Sequence, residues 1–264
     1  MSQDDEPPTG WRQRGKRVRV AVLLLVLVVV AAGRYATRAR IVAWARPLVV
    51  AVIPVLADTS SKTSQYVSLV TAQTYAPVQA FLAAQAQSHG VALPNPVYVV
   101  AGKPIRSVPP AVPVGRGAWE VMAWSLRLRW WSWQANRGQP ASTVQIYVLY
   151  SDTSGRVLDA SYGIKEALVG VVNTAADERA EDWTNLALTH ELLHTLGATD
   201  KYLQGGYPAF PDGFAQPDRE PRTPQDRCEI MAGQIPTTGE TFFQAPSVGH
   251  CVVGPRTAQE IGWR

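Results

Sequence analysis

The chain has 264 residues, 46% of them hydrophobic and 17% charged, with a formal net charge of +4. The charge is unevenly placed: residues 1–46 hold nine Lys and Arg against three Asp and Glu, a net of +6, which leaves sixteen basic and eighteen acidic residues, a net of −2, for the rest. The basic character therefore belongs to an N-terminal arm suited to anionic lipid, and with no nucleic-acid-binding motif in the chain it gives no support for a nucleic-acid partner.

Residues 1–19 are polar, end in the cluster Arg12, Arg14, Lys16, Arg17 and Arg19, and read as a cytoplasmic leader. Val20–Ala32 is an unbroken apolar run of thirteen residues. That is short of the ~20 needed to span a bilayer core as a helix, although snorkelling of Arg19 and Arg34 extends its reach. Residues 20–36 are therefore expected to form a signal anchor, a single transmembrane helix that places the remainder on the extracytoplasmic side of the cell membrane. The competing reading is a signal peptide cut near Ala32, where Val30 and Ala32 suit small-residue cleavage, and a secreted product. Ile41–Leu56 is a second apolar stretch. Arg46, Pro47 and Pro54 make it a poor span, so it is expected to lie on the membrane surface or to extend the anchor as a stalk. A two-helix hairpin would instead put Arg34, Arg38 and Arg40 in an external loop, against the positive-inside tendency.

Ser60–Ser88 reads as one or two helices, with Tyr66, Leu69, Val70, Tyr75, Val78, Phe81 and Leu82 on an apolar side and Pro77 kinking or dividing it. Residues 37–94 thus form a membrane-proximal stalk and helical region, and a folded domain is expected over 95–264. Pro94 to Pro113 is proline-rich, with a strand at Val97–Ala101. Ala118–Gln134 carries five of the nine tryptophans. Trp119, Leu126, Trp130 and Trp133 approximate one helical face and are expected in the core, although alternation over Leu126–Trp130 leaves a strand open. Thr143–Tyr150 alternates and is β-branched and aromatic, which predicts a strand. Ala167–Asn173 reads as another, leading through an acidic turn at Asp177–Asp182 into a helix. No internal repeat appears.

That helix carries the chemistry. Thr189–Tyr202 reads THELLHTLGATDKY. His190 and His194 are four residues apart, so on a helix both imidazoles reach one metal ion. Glu191 adjoins the first ligand and reaches a metal-activated water. Gly197 can adopt a left-handed conformation that stops the helix and turns the chain back. The turn brings Asp200 to the same ion as third ligand, leaving one position open, which is the catalytic rather than the structural zinc pattern. Trp183, Leu186 and Leu188 give the start of the helix apolar content, and Leu192, Leu193 and Leu196 continue it with a buried face.

HELLHTLGATD resembles the extended zinc signature of the metzincin metalloproteases, H-E-x-x-H-x-x-G-x-x-H/D, in the aspartate variant found in snapalysin-like enzymes. The resemblance implies an α+β fold: a twisted mixed sheet under a zinc-binding active-site helix, with a small irregular C-terminal subdomain carrying a methionine turn. Met231, in CEIMAG, is the matching methionine. It implies one catalytic Zn2+, peptide-bond hydrolysis with Glu191 as general base, and a protein or peptide substrate. An edge strand lining the cleft is expected near Asp159–Ile164. Some metzincins place a tyrosine two residues after the methionine; here Gly233 stands there, and no such role carries over. Tyr202 is within reach of the site but reads as a packing residue.

After Asp200 the chain is rich in glycine, proline and charge as far as Arg227 and reads as a long irregular loop. Asp212, Asp218, Glu220 and Asp226 are candidates for a structural Ca2+, with a solvated loop as the alternative. Cys228 and Cys251 bracket Met231 and are expected to form a disulfide. Gln234, Ile235 and Pro236 are positioned to shape the pocket beyond the scissile bond. Thr257–Trp263 predicts a short closing helix. Two further function classes stay open: a thermolysin-like zinc hydrolase with Glu220 or Glu229 as third ligand, and a catalytically silent domain that binds peptide in the cleft.

Overall fold

The structure is a computed structural model that describes residues 18–22, 24, 25, 28, 33, 36, 39–113, 117–153, 161–164, 168–238 and 241–263. It divides into Met1–Ile41 and Val42–Arg264. The described residues of the first unit are helical. Most of the leader lies outside the described residues. Among those described, no helix is long and apolar enough to cross a membrane. This overturns the transmembrane signal anchor and the single-pass cell-membrane location expected from Val20–Ala32. Arg19 and Arg34 leave only fourteen residues between them, thirteen of them the apolar run, well under the ~20 of a spanning helix.

The second unit is a mixed α+β fold built on a mostly parallel, twisted sheet. Its strands are β1 (Leu48–Leu56), β2 (Val97–Ala101), β3 (Val144–Ser151), β4 (Tyr162–Ile164) and β5 (Val169–Ala175). Their order is β2-β1-β3-β5-β4. The first four in that order run parallel, and β4 closes one edge antiparallel to β5.

β1 corrects two expectations. The apolar stretch Ile41–Leu56 is neither a membrane-surface segment nor a stalk, because its second half is a strand flanked on both sides, with Val50, Ala51, Val52, Ile53 and Val55 fully buried. A parallel strand covered on both faces needs a near-continuous apolar run, which imitates a membrane segment in hydropathy. The folded unit therefore begins at Val42 rather than at residue 95.

Helices cover both faces. Odd-numbered β1 residues Ala51, Ile53 and Val55 pack with Tyr147, Leu149, Val169 and Val171 against Leu128 and Trp131 of helix α3 (Ala118–Ala135). Before it come α1 (Ser61–Leu69) and α2 (Ala76–Ser88), with Pro77 in the first turn of α2, where its missing N–H costs nothing. α4 (Glu181–Leu196) packs on β5, β4 and β3. It lies on the opposite face, since Gly170, next in sequence to the α3-facing Val169 and Val171, meets the Glu191 side chain.

α3 also departs from expectation. The face Trp119, Leu126, Trp130 and Trp133 is exposed; Leu128, Trp131 and Ser132 are buried instead. Trp131 and Trp124 donate their indole N–H groups to Ser107 Oγ (2.8 Å) and the Pro110 carbonyl (3.0 Å). The helix is apolar on two sides, so tryptophan spacing alone picks the wrong one.

After α4 the chain is irregular, with short pairs β6 (Cys228–Glu229) with β9 (Cys251–Val252) and β7 (Gln234–Pro236) with β8 (Phe242–Gln244). Helix α5 (Pro255–Glu260) closes the chain, and Trp263 packs on Trp44. Cys228 and Cys251 are bonded as expected. The bridge closes a loop across a sequence separation of 23, worth about 3 kcal/mol in the chain-entropy model. A Cys228→Ser/Cys251→Ser protein is expected to lose stability of that order in urea denaturation, and an unshifted midpoint would show that the bridge contributes nothing.

Candidate metal centre

α4 begins behind a 3-10 turn whose Asp177 carboxylate accepts from Arg179 N, and Glu181 and Asp182 occupy its first turn, where acids suit the helix dipole. It ends at Gly197, whose φ of 111° lets its N–H return to the Leu193 and His194 carbonyls. The chain then reverses as expected, and His190, His194 and Asp200 come together, with one potential ligand atom of each within 4.8 Å of the others.

The hydrogen bonds around the imidazoles set their chemistry. His190 Nδ1 faces the Ile230 carbonyl at 3.0 Å, and His194 Nδ1 faces the Ala198 carbonyl at 3.0 Å. A carbonyl only accepts, so each Nδ1 carries the ring proton and donates it. Nε2 of a neutral ring then presents a lone pair. Both Nε2 atoms point at one carboxylate oxygen, Asp200 Oδ1, at 3.2 and 3.1 Å. Three acceptors meeting at one point repel unless a cation or added ring protons lie between them. At His194 burial works against a charged ring, but the contacts with Asp200 and Ala198 raise its pKa. Burial likewise opposes ionisation of Asp200, yet the two histidines hold its carboxyl well below the usual range. Two imidazoles and one carboxylate with Nδ1 groups anchored to carbonyls are a donor set that fits zinc.

Glu191 sits beside this group. It is buried, and its Oε2 has no hydrogen-bond partner among the described residues. Burial raises its carboxyl pKa, against the opposing influence of the neighbouring histidines. A cavity of about 420 Å³ opens onto Glu191 and His190, walled by Trp183, Leu186 and Gln234 among others. Of the three residues expected to shape it, Gln234 lines it, whereas Ile235 and Pro236 are buried and are not among its lining residues. Tyr202 lines it too, partly exposed and hydrogen-bonded to Asp200, which corrects its reading as a packing residue.

Met231 is fully buried. Its role lies in the backbone: Ile230 supplies the carbonyl to His190, and Met231 O accepts from Lys201 N at 3.0 Å, next to Asp200. Glu229 is not a ligand. Its buried carboxylate accepts from Met231 N (2.6 Å), Gly254 N (3.1 Å) and Thr257 Oγ1 (2.7 Å). Among the described residues only His190, His194 and Asp200 form a metal-ligating group, so Glu220 does not take the third position. Asp212, Asp218, Glu220 and Asp226 do not converge on a calcium site either, and Asp226 pairs with Arg219 at 2.8 Å.

Two arrangements escaped the sequence reading. Lys201, nearly buried, donates to the Thr199 carbonyl, Thr199 Oγ1 and Glu260 Oε2, while Thr199 N and Oγ1 also donate to Glu260. This clamp grips both neighbours of Asp200 from α5. In the sheet, Gly163 of β4 pairs with Gly170 of β5. A Cβ at Gly163 would stand 2.5 Å from the Glu191 carbonyl and 2.8 Å from His194 Cβ. A lone glycine inside a strand pattern was the available signal. The expected edge strand is there as β4, although residues 159 and 160 lie outside the described residues.

No family model matches the chain, and no curated protein does. A solved structure titled "Structure of a chaperone-substrate complex" is similar at a TM-score of 0.41 and 13% identity, over 82% of this chain and 33% of that one. This chain therefore spans about a third of that protein's length, and a likeness this weak carries no argument.

Lys201→Met is expected to cost about 3 kcal/mol, the usual loss when one partner of a buried ion pair is removed, and to weaken any metal affinity of the His190, His194 and Asp200 group about tenfold, as for other residues behind a ligand. Competition with a chromophoric chelator measures the second effect, and unchanged affinity would show that the clamp does not position Asp200. Gly163→Ala is expected to push β4 off α4, read as faster amide exchange in both segments.

Proposed function

We propose that this chain is a zinc-dependent endopeptidase of metzincin type, hydrolysing protein or peptide substrates. The observation that carries the reading is the convergence of His190, His194 and Asp200 on one point, beside a buried carboxylate oxygen of Glu191 that has no hydrogen-bond partner among the described residues.

The residues divide the work. His190, His194 and Asp200 would hold the ion, which when bound supplies Lewis acidity toward water and the scissile carbonyl. Glu191 takes the proton from water as the water oxygen attacks the carbonyl carbon, then delivers that proton to the amine nitrogen as the C–N bond breaks. Its raised pKa suits a group that must both accept and return a proton. His190 and His194 keep their rings oriented through Ile230 and Ala198. Tyr202 lines the cavity, and its single hydroxyl proton is held by the Asp200 carboxylate, so it would donate to the developing oxyanion only on leaving that partner. The edge of β4 that pairs with no strand among the described residues would pair with an extended substrate backbone, and the cavity between α4 and Gln234 would take a neighbouring side chain.

The motif also serves a silent domain that binds peptide, and one comparison separates the two. Chelator-sensitive cleavage of an unbiased peptide mixture is expected from the full chain. Glu191→Ala is expected to keep zinc and lose at least about 100-fold in turnover, the usual weight of a general base. Asp200→Ala is expected to lose the metal itself. Full activity in Glu191→Ala, or metal retained in Asp200→Ala, would sink the reading.

A further inference from the structure

We propose that the outer ridge of α3 is a docking surface for an anionic lipid headgroup layer, separate from the metal centre. α3 already spends one side on the sheet. Its other side is a second apolar stripe: Trp119, Met122, Leu126, Trp130 and Trp133 are 75%, 48%, 63%, 63% and 59% exposed. Their spacing of three, four, four and three residues aligns them on one face of a helix that is ~27 Å long at 1.5 Å per residue. The loop pinned to this helix through Trp124 and Trp131 exposes Val108 and Val112 as well. Contiguous exposed apolar area of this kind marks a contact surface, not ordinary scatter.

Charge selects the occupant. Residues 103–139 hold Lys103, Arg106, Arg116, Arg127, Arg129 and Arg137 against Glu120 alone, a net of +5. The rest of residues 47–264 carries ten basic and seventeen acidic residues, a net of −7. A second copy of this chain would set the same net-positive segment against itself. An anionic layer is complementary to it, at roughly 1 kcal/mol per basic residue near the surface. The side-chain types agree. Tryptophan has an apolar ring for the acyl boundary and an N–H for the headgroups. Arg137 stacks over the Trp133 ring at 4.1 Å, so cation and indole enter the interface together. A lipid surface, unlike a protein groove, needs no matched shape. This is a helix lying on the interface, not crossing it. Because α3 and α4 cover opposite faces of the sheet, docking leaves the metal centre facing away from the lipid.

The test is co-sedimentation of the full chain with vesicles of phosphatidylcholine alone and of phosphatidylcholine with one third phosphatidylglycerol. Binding is expected only to the anionic vesicles and to weaken with salt. Trp119→Ser/Trp130→Ser/Trp133→Ser is expected to lower partitioning about tenfold or more, with peptide cleavage unchanged. Arg127→Gln/Arg137→Gln, which leaves the apolar stripe intact, is expected to lower it several-fold and guards against a folding defect in the triple variant. Brominated lipids are expected to quench wild-type fluorescence more than that of the triple variant. The proposal is overturned if both variants bind like wild type, if neutral vesicles bind equally, or if the ridge takes a single-stranded oligonucleotide or an acidic polypeptide in preference. A dimer that only the triple variant loses would overturn it too.

Discussion

The rings of His190 and His194 are each pinned by an Nδ1–H to a backbone carbonyl, and this pinning governs the arrangement around them. With those protons committed, both Nε2 lone pairs face Asp200 Oδ1. Such a cluster is stable only with positive charge at its centre, so the surrounding backbone has to hold it against its own repulsion. The supports come from separate parts of the chain. Ile230 belongs to the turn that Glu229 fixes through Met231 N, and Ala198 follows the left-handed Gly197. Lys201 ties the Asp200 segment to both Met231 O and Glu260.

These supports meet at the C-terminal helix α5. Thr257 donates to Glu229, and Glu260 receives Lys201 and Thr199. A six-residue helix is too short to be stable by itself, so its place is set by the buried contacts of Ala258, Ile261 and Trp263. The ligand geometry therefore depends on packing some sixty residues downstream of the motif. Buried carboxylates are costly unless saturated with donors, and Glu229 meets that condition with three. Its burial is explained by support of the turn, without any catalytic duty.

Sequence legibility follows the range of the interactions. The helix stop at Gly197, the two-histidine face and the return of Asp200 are encoded within eleven consecutive residues, and all appear as expected. The strands at Val97–Ala101, Thr143–Tyr150 and Ala167–Asn173 are readable within a residue or two because β-branched runs bounded by turns are local signals. Leu48–Leu56 is not, since hydropathy cannot distinguish a strand covered on both faces from a membrane-seeking segment; only its neighbours β2 and β3 decide. The same limit reversed the faces of α3, where two apolar sides compete and the sheet accepts the one with Leu128 and Trp131. Lys201 and Glu260 were invisible because their meeting depends on tertiary packing.

The facing glycines Gly163 and Gly170 have a consequence for alignment. A strand of three residues at a sheet edge has few hydrogen bonds to fix its register and could slide along β5. Gly163 fits under the Glu191 carbonyl only because it has no side chain. A slip of one residue would bring Tyr162 or Ile164 to that spot, where neither fits. The missing side chain thus acts as an index mark, holding the sheet edge at a fixed offset from the Glu191 carboxylate.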